Sequence, residues 1–124
     1  LNITSVSVNM PVSGLYLSSG ARAGLKAFCA GVCRSIAGTG VTINHIQPGF
    51  FDTDRYRAGI DALAEQLGVE HDEAHAIRIN EVPAKRAGTP KEFGDAAAFL
   101  CSMQAGYITG QSLLLDGGPY HSSF

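Results

Sequence analysis

The chain has 124 residues, of which 45% are hydrophobic and 16% are charged, and its formal net charge is −2 at pH 7. This balance excludes a disordered chain and a basic nucleic-acid surface, and the length fits one domain spanning 1–124. The apolar runs are far shorter than the roughly 20 residues of a membrane span, and no basic-then-apolar leader precedes them. We therefore expect a soluble, cytoplasmic protein that binds a small molecule or another protein, with no nucleic acid or membrane as partner.

The first segment predicts a strand followed by a long helix. Residues 1–8 are rich in β-branched side chains and end at Asn-Met-Pro, which is typical of a strand that enters a loop. Ser18 or Ser19 is expected to cap the next helix, whose small and apolar residues run from Ala21 to Ala37 and predict cover on two sides. Because the chain opens inside a strand-like run without an initiator Met, we also expect residues of the same domain to precede it.

The middle of the chain predicts a second strand and a helical excursion. The run VTINHIQPG is strand-like and ends where Pro48 cannot continue the ladder. Residues 54–68 then show apolar side chains at helical spacing, and a shorter polar helix is expected over 70–79. The apolar stripe of the first of these helices comprises Ile60, Leu63, Ala64 and Leu67. We expect the segment 54–83 to form a helical lid.

The C-terminal part predicts a capped helix and a third strand. Thr89, Pro90 and Glu92 have the spacing of a capping box with proline in the first turn, and Phe93, Ala96, Ala97 and Leu100 form the predicted buried stripe. The run QSLLLDGG reads as a strand covered on both faces. Strands joined by helical crossovers predict an α/β fold with three parallel strands, whose ligand lies beyond the carboxyl ends of the strands.

The cysteines and histidines suggest structural roles. Cys29 and Cys33 stand at i, i+4 without further ligands at metal spacing, so we expect buried free thiols. His71 and His75 also stand at i, i+4, but HDEAH is not the zinc motif HExxH, and a solvated lid helix is expected there instead of a metal site. His45 lies in an apolar strand and is expected in the core.

Five segments in register resemble the C-terminal half of a classical short-chain dehydrogenase/reductase, of the 3-oxoacyl-carrier-protein reductase-like kind. They are ITSVSV, LSSGARAGLKAF, GVTINHIQPGFFDT, VPAKRAGTPKEFGDAAAFLCS and AGYITGQSLLLDGG, which together run from Leu1 to Gly118. The resemblance implies a Rossmann-like domain that uses NAD or NADP. The family's glycine-rich phosphate loop belongs to its N-terminal half, so only the nicotinamide end of the cofactor is implied here.

The resemblance assigns the cofactor contacts and the catalytic positions by register. The family's P-G-x-x-x-T run falls on Pro48, Gly49 and Thr53, and Phe51 would offer backbone groups to the nicotinamide. The family's catalytic serine falls on Ser5, its tyrosine on Ser18 and its lysine on Arg22, which would also contact the cofactor's ribose.

Two of these catalytic positions depart from the family pattern. A serine hydroxyl is a far weaker acid than the tyrosine phenol, and an arginine keeps its proton at any ordinary pH. Tyr16, two positions before Ser18, is an alternative acid, with packing in the loop as the structural interpretation. Helix capping is likewise the structural interpretation of Ser18, and a solvent-facing cation is that of Arg22.

Two functions remain open from the sequence. The first is an oxidoreductase that moves hydride between a nicotinamide cofactor and a carbonyl or secondary alcohol, with the lid favouring an apolar or acyl-type substrate. The second is a family member with impaired catalysis that serves as a binding or assembly subunit. Both predict a homo-oligomer, a dimer or tetramer, and a first strand with one unpaired side.

Overall fold

A computed structural model, which describes residues 1–122, shows a parallel sheet with strand order β1-β2-β3. The strands are β1 (Asn2–Ile3), β2 (His45–Pro48) and β3 (Ser112–Leu115). Both neighbouring pairs are parallel, and His45 is in register with Asn2 on one side and Ser112 on the other. The predicted α/β class and the parallel arrangement are confirmed.

Four α-helices connect and flank these strands within the described residues: α1 (Tyr16–Ile36), α2 (Asp54–Leu67), α3 (His71–Asn80) and α4 (Pro90–Leu100). Short 3₁₀ turns occur at Val6–Val8, Ala37–Thr39 and Met103–Ala105. Over residues 1–122, no helix combines the length and the apolar character that crossing a bilayer requires.

The strand expected over residues 1–8 is wrong beyond Ile3. The chain bends there into the Val6–Val8 turn, and the side chain of Ser5 caps that turn by accepting the backbone N–H of Ser7 at 3.1 Å. A short hydroxyl side chain can offer the backbone such a local alternative to a strand ladder. The alternation of apolar and polar residues in this segment favoured a strand, so the turn was not predicted.

Helix α1 begins five residues before the expected start, and neither Ser18 nor Ser19 is its cap. The helix starts at Tyr16 after Leu15, which makes no side-chain capping bond. A left-handed residue, Gly14 at φ 80°, turns the chain into the helix. Both serines therefore lie inside the first turn of the helix, whereas the sequence predicted that they precede it.

Helices α4, α2 and α3 occur close to the bounds expected from the sequence. Thr89 and Glu92 form a reciprocal capping box at the start of α4. Thr53 caps α2, which ends at the left-handed Gly68, and α2 packs against α3 with Ile60 and Ala74 buried between them and the rest of the molecule.

The core is centred on β2. Ile46 and Gln47 are fully buried, and His45 is 2% exposed, which confirms the expected core position of this histidine. Cys29 and Cys33 are buried free thiols, also as expected.

The outer surfaces are less covered than predicted. Leu17 and Phe28 on α1 are 93% and 70% exposed, and Leu113 on β3 is 37% exposed. The expectation that α1 is covered on two sides, and β3 on both faces, is wrong for the residues that the structure describes. Strand β1 is the outer strand of the described sheet, so one of its sides is unpaired there.

Candidate active site

The site is built where β1 and β2 end. Ser5 follows β1 and stands at the base of the Val6–Val8 turn, and the segment 48–53 follows β2. The bond from Ser7 occupies one acceptor position of the Ser5 hydroxyl and does not use the hydroxyl hydrogen. The carboxyl edge of a parallel sheet is where ligands of such folds bind.

Ser18 and Arg22 form a bonded pair on the half-buried face of α1. The Nη1 atom of Arg22 donates to the Oγ atom of Ser18 and also to the Ser18 carbonyl oxygen at 3.3 Å. The pair is a consequence of i, i+4 spacing on one helical face. Because the guanidinium donates to Oγ, the serine keeps its own hydrogen to donate to a third group, and that donation is polarised by the neighbouring cation.

Tyr16, the alternative acid, is the first residue of α1 and takes no part in the bonds between Arg22 and Ser18. It is 69% exposed, and its hydroxyl is 3.3 Å from the Oγ atom of Ser13 in the preceding loop. This contact agrees with the structural interpretation of Tyr16 as a residue that packs at the loop.

Gly49 is required by the closeness of two strands. An added Cβ would stand 2.8 Å from the Cβ atom of Asp116 and 2.9 Å from its Cα atom, both shorter than carbon–carbon contacts of about 3.5–4.0 Å. The N–H of Gly49 also donates to the carbonyl of Leu115 at 2.8 Å. Close approach of β3 therefore explains this glycine without a ligand, and Pro48 precedes it as the last residue of β2.

Phe51 is held with its backbone groups facing outward from a bridge to Gly88. The bridge uses the carbonyl of Phe50 and the N–H of Asp52, which bond to Gly88 at 2.9 and 2.8 Å. In a parallel bridge the middle residue directs its own N–H and C=O to the opposite side. The ring of Phe51 packs edge-on against Phe93 at 5.5 Å between centroids. The bridge to Gly88 and this ring contact together hold the Phe51 backbone in place.

Thr53 acts as the N-cap of α2. Its Oγ1 atom accepts the N–H of Tyr56 at 3.3 Å and is 3.4 Å from the carbonyl oxygen of Phe51, to which it donates. The hydroxyl therefore links the carbonyl of Phe51 to the first turn of α2.

Sequence reasoning missed a polar chain beside the predicted site. The Nδ2 atom of Asn9 donates to the Oε1 atom of Gln47 at 2.9 Å, and the Nζ atom of Lys26 donates to the Oδ1 atom of Asn9 at 3.3 Å. We name these three residues the Asn9–Lys26–Gln47 triad. Only the helical spacing of Lys26 with Arg22 and Ser18 was visible in the sequence, because Asn9 is separated from Lys26 by 17 residues and from Gln47 by 38.

An aromatic cluster joins α2 and α3 to the segment that follows β2. The Tyr56 ring stands 6.0 Å from Phe50 and, edge-on, 6.0 Å from His75, while the guanidinium of Arg78 lies 5.4 Å above the Phe50 ring. Burial raises the pKa of Tyr56, against the lowering effect of Arg78. The Tyr56 phenol is therefore neutral at physiological pH, and the cluster serves packing.

The two lid histidines contact different groups. The Nε2 atom of His71 is 3.6 Å from a carboxylate oxygen of Asp61, whereas His75 packs on Tyr56. Within residues 1–122, no three His, Cys, Asp or Glu side chains are grouped so that they could hold a metal ion.

A small cleft opens at the carboxyl ends of β2 and β3. It encloses about 160 Å³ and is bordered by Phe50, Phe51, Leu115, Asp116 and residues of the following loops. This volume is below the roughly 300–1,000 Å³ of sites for drug-sized ligands. A wider open groove of about 450 Å³ lies along α3 and is lined by none of the predicted site residues.

Comparison with known proteins identifies the family. The family profile described as Enoyl-(Acyl carrier protein) reductase matches residues 1–120. A curated relative, the 3-oxoacyl-(acyl-carrier-protein) reductase FabG of Vibrio cholerae serotype O1, is 37% identical over 120 residues, which is 97% of this chain and 45% of the relative. The chain thus spans less than half the length of the curated relatives it matches.

Solved structures give the same result. The crystal structure of YwfH, an NADPH dependent reductase involved in bacilysin biosynthesis, is 30% identical with a TM-score of 0.89, covering 98% of this chain and 46% of the YwfH chain. A short chain dehydrogenase family protein from Francisella tularensis is 26% identical with a TM-score of 0.80, covering 94% and 49%. With the profile match over nearly all of its length, the chain belongs to the short-chain dehydrogenase/reductase family.

Proposed function

We propose that this chain supplies the substrate-facing and nicotinamide-facing part of an NAD- or NADP-dependent oxidoreductase that interconverts a carbonyl and a secondary alcohol. The observation that carries the proposal is the bond from Arg22 to Ser18, because these residues occupy the positions of the family's lysine and tyrosine. The chain therefore keeps a cation bonded to a hydroxyl at these two positions, although the residue types differ from those of the family pattern. The half-buried Leu63 of α2 favours an apolar or acyl-type substrate, whereas Ile60 is buried and serves the packing of that helix.

The pair acts by stabilising charge. When the carbonyl oxygen gains negative charge, the Ser18 hydroxyl donates a hydrogen bond to it and the Arg22 guanidinium supports that bond through its positive charge. The proton that completes the alcohol comes from solvent, because Arg22 does not release its proton and a serine alkoxide is far too basic to persist at neutral pH. Ser5, at the end of β1, offers a second hydroxyl hydrogen to the same oxygen.

The residues after β2 fit the nicotinamide end of the cofactor. The bridge to Gly88 turns the Phe51 backbone outward, where its N–H suits an amide oxygen such as that of the carboxamide. Arg22 offers a fork of donors to the ribose hydroxyls. When bound, the cofactor supplies or accepts the hydride at the substrate carbon.

Substitutions in the full-length gene product test the proposal. Ser18→Ala removes the hydrogen-bond donor and is expected to lower kcat about 10²–10³-fold, as loss of an oxyanion donor does, with nucleotide affinity retained. Ser35→Ala is the matched control, since Ser35 lies on the same helix and bonds its hydroxyl to the Val32 carbonyl. NADH and NADPH binding is followed by fluorescence, and turnover with a panel of ketones. A protein that binds neither nucleotide contradicts the proposal.

A second candidate function is a binding or oligomer-assembly subunit that has lost turnover. It is favoured by the uncovered apolar face of α1, where Leu17, Leu25 and Phe28 are 93%, 40% and 70% exposed. A second copy of the chain is the proposed occupant, in a dimer or tetramer. Nucleotide binding without turnover, together with dissociation of the assembly by Phe28→Glu, favours this function over the first.

A further inference from the structure

The Asn9–Lys26–Gln47 triad joins three separate elements of the fold. Asn9 ends the turn that follows β1, Lys26 belongs to α1, and Gln47 belongs to β2. Gln47 is fully buried, whereas Asn9 and Lys26 are half-buried. The chain of bonds therefore runs from the edge of the site into the core of the sheet.

Lys26 lies on the same face of α1 as the pair already described. Ser18, Arg22 and Lys26 follow at i, i+4 and i+8, and all three are half-buried. Arg22 directs its bonds to Ser18 within the helix, while Lys26 reaches out of the helix to Asn9. Arg22 thus bonds to the proposed catalytic serine, whereas Lys26 bonds to the turn that follows β1.

The lysine determines how the two amides face each other. An amide pair such as Asn9 and Gln47 bonds in either of two orientations, because each side chain has a donor end and an acceptor end. An ammonium has donors only, so it requires the Oδ1 end of Asn9 to face it. The Nδ2 end must then face the Oε1 atom of Gln47, which is the arrangement in the structure. The Oδ1 atom of Asn9 also accepts a bond from the Nε2 atom of Gln47 at 3.5 Å, so the two amides pair in both directions.

The fixed amide has a consequence for Ser5. The N–H of Asn9 bonds to the carbonyl of Val6 at 2.9 Å, and Ser5 caps the same turn from its other end. Hydrogen bonds that keep Asn9 against β2 therefore also keep the Val6–Val8 turn in place. The direction of the Ser5 hydroxyl depends on that turn.

We propose that Lys26 is a positioning residue of this site: it anchors the Ser5 turn to the end of β2 through Asn9. The inference rests on the proposed function for its catalytic meaning, whereas the anchoring itself is independent of turnover. Lys26 touches neither substrate nor cofactor in this role.

The experiment compares three variants of the full-length protein. Lys26→Met keeps the apolar stem and removes the charged donor, Lys26→Arg keeps a cation, and Lys91→Met is the control, because Lys91 is an exposed lysine paired with Asp95. Amide hydrogen exchange of residues 6–10 reports the anchor. Nucleotide affinity, kcat and KM are measured in parallel.

The expected result is a local loosening with a selective loss of turnover. In Lys26→Met, exchange in residues 6–10 rises about tenfold, the factor expected from losing one bond to a charged group, and kcat falls by a similar factor. Nucleotide affinity and KM stay within about twofold, a split that general destabilisation does not produce. Lys26→Arg restores most of the exchange protection and of kcat, and Lys91→Met matches the wild type.

A second route keeps the proposal falsifiable if Lys26→Met folds poorly. Asn9→Leu removes the bond to Lys26 together with the bonds to Gln47. The double variant is expected to equal Asn9→Leu alone, because Lys26 has no bond to the turn once Asn9 is gone. Unchanged exchange in residues 6–10, an effect spread evenly over the chain, or additive effects in the double variant would each overturn the anchoring. Failure of the wild type to bind either nucleotide refutes the proposed function alone and leaves the exchange result decisive for Lys26.

Discussion

Replacing Gly49 by alanine separates a structural need for glycine from a need imposed by a ligand. The added Cβ would stand 2.8 Å from the Cβ atom of Asp116, about an ångström closer than ordinary carbon contacts. Asp116 cannot retreat easily, because its carboxylate accepts the N–H of Gly118 at 2.8 Å and that of Tyr120 at 3.1 Å. The strand ends must separate instead, which strains the bond from Gly49 to Leu115.

The expected cost follows from these contacts. Overpacking a tight site costs about 1–3 kcal/mol, and weakening one backbone hydrogen bond adds about 1 kcal/mol. Gly49→Ala is therefore expected to lower the free energy of unfolding by about 2–4 kcal/mol with no nucleotide present. Urea unfolding of the full-length protein measures this loss as a lower midpoint at an unchanged slope.

Gly59→Ala is the matched control, and its effect has the opposite sign. Gly59 lies within α2, and nothing stands within 4 Å of the position its Cβ would take. Alanine there is expected to stabilise the protein by about 0.5–1 kcal/mol, since glycine is costly inside a helix. If Gly49→Ala stays within about 0.5 kcal/mol of the wild type, the strand-approach explanation is wrong, and contact with a ligand becomes the better account of Gly49.

Three further predictions concern stability. Arg86 and the N–H of Thr89 hold the pKa of Glu92 at about 2, below its unfolded value. The ionised carboxylate therefore stabilises the folded protein above pH 4.5, and this stabilisation is lost as the pH falls towards 2. The difference in thermal midpoint between wild type and Glu92→Gln should shrink over that range. Burial lowers the pKa of His45, and the charge of Lys26 adds a smaller effect in the same direction. Below about pH 6.5 the unfolded state therefore binds a proton at His45 more readily than the folded state does, which lowers the free energy of unfolding. Urea midpoints between pH 7.5 and 5 should therefore fall more steeply for wild type than for His45→Gln, and equal slopes would contradict this. Ile60→Ala is expected to cost about 2–5 kcal/mol in the same assay because Ile60 is 1% exposed, and a loss below 1 kcal/mol would show that the lid packs loosely.

Local signals predicted the elements that depend on neighbouring residues. Helix α4 starts where Thr89, Pro90 and Glu92 indicated, because a capping box lies wholly within one turn. The parallel direction of the strands also followed from the sequence, since helical crossovers between strands leave a parallel sheet as the expected arrangement.

Elements whose bounds depend on competing local bonds were predicted less well. Two serines before a run of small residues resembled a cap, yet the helix had already begun at Tyr16. The β-branched run that opens the chain resembled a strand, yet the Ser5 side chain turns it after Ile3. Hydroxyl side chains serve caps, turns and helix interiors alike, so their type does not determine the position of a boundary.

The helical spacing of Ser18 and Arg22 could be predicted from the sequence, whereas their roles in catalysis stay predictions. Register placed Ser18 and Arg22 one helical turn apart, and the structure joins them. The link from Lys26 through Asn9 to Gln47 could not be predicted, because it depends on how the turn after β1 folds over β2. Such contacts arise only once the strands are adjacent.

The charges along the chain bear on which ligand this site suits. Residues 1–51 contain three cations, Arg22, Lys26 and Arg34, and no Asp or Glu, whereas all 11 acidic residues lie in the remainder. Two of the cations stand four residues apart on one half-buried helix face, where like charges repel each other by a few tenths of a kcal/mol. Hydrogen bonds to Ser18 and Asn9 hold them in place but leave their charge uncompensated. An anionic ligand beside α1 would offset that repulsion, and this charge balance supports the proposed use of a nicotinamide dinucleotide.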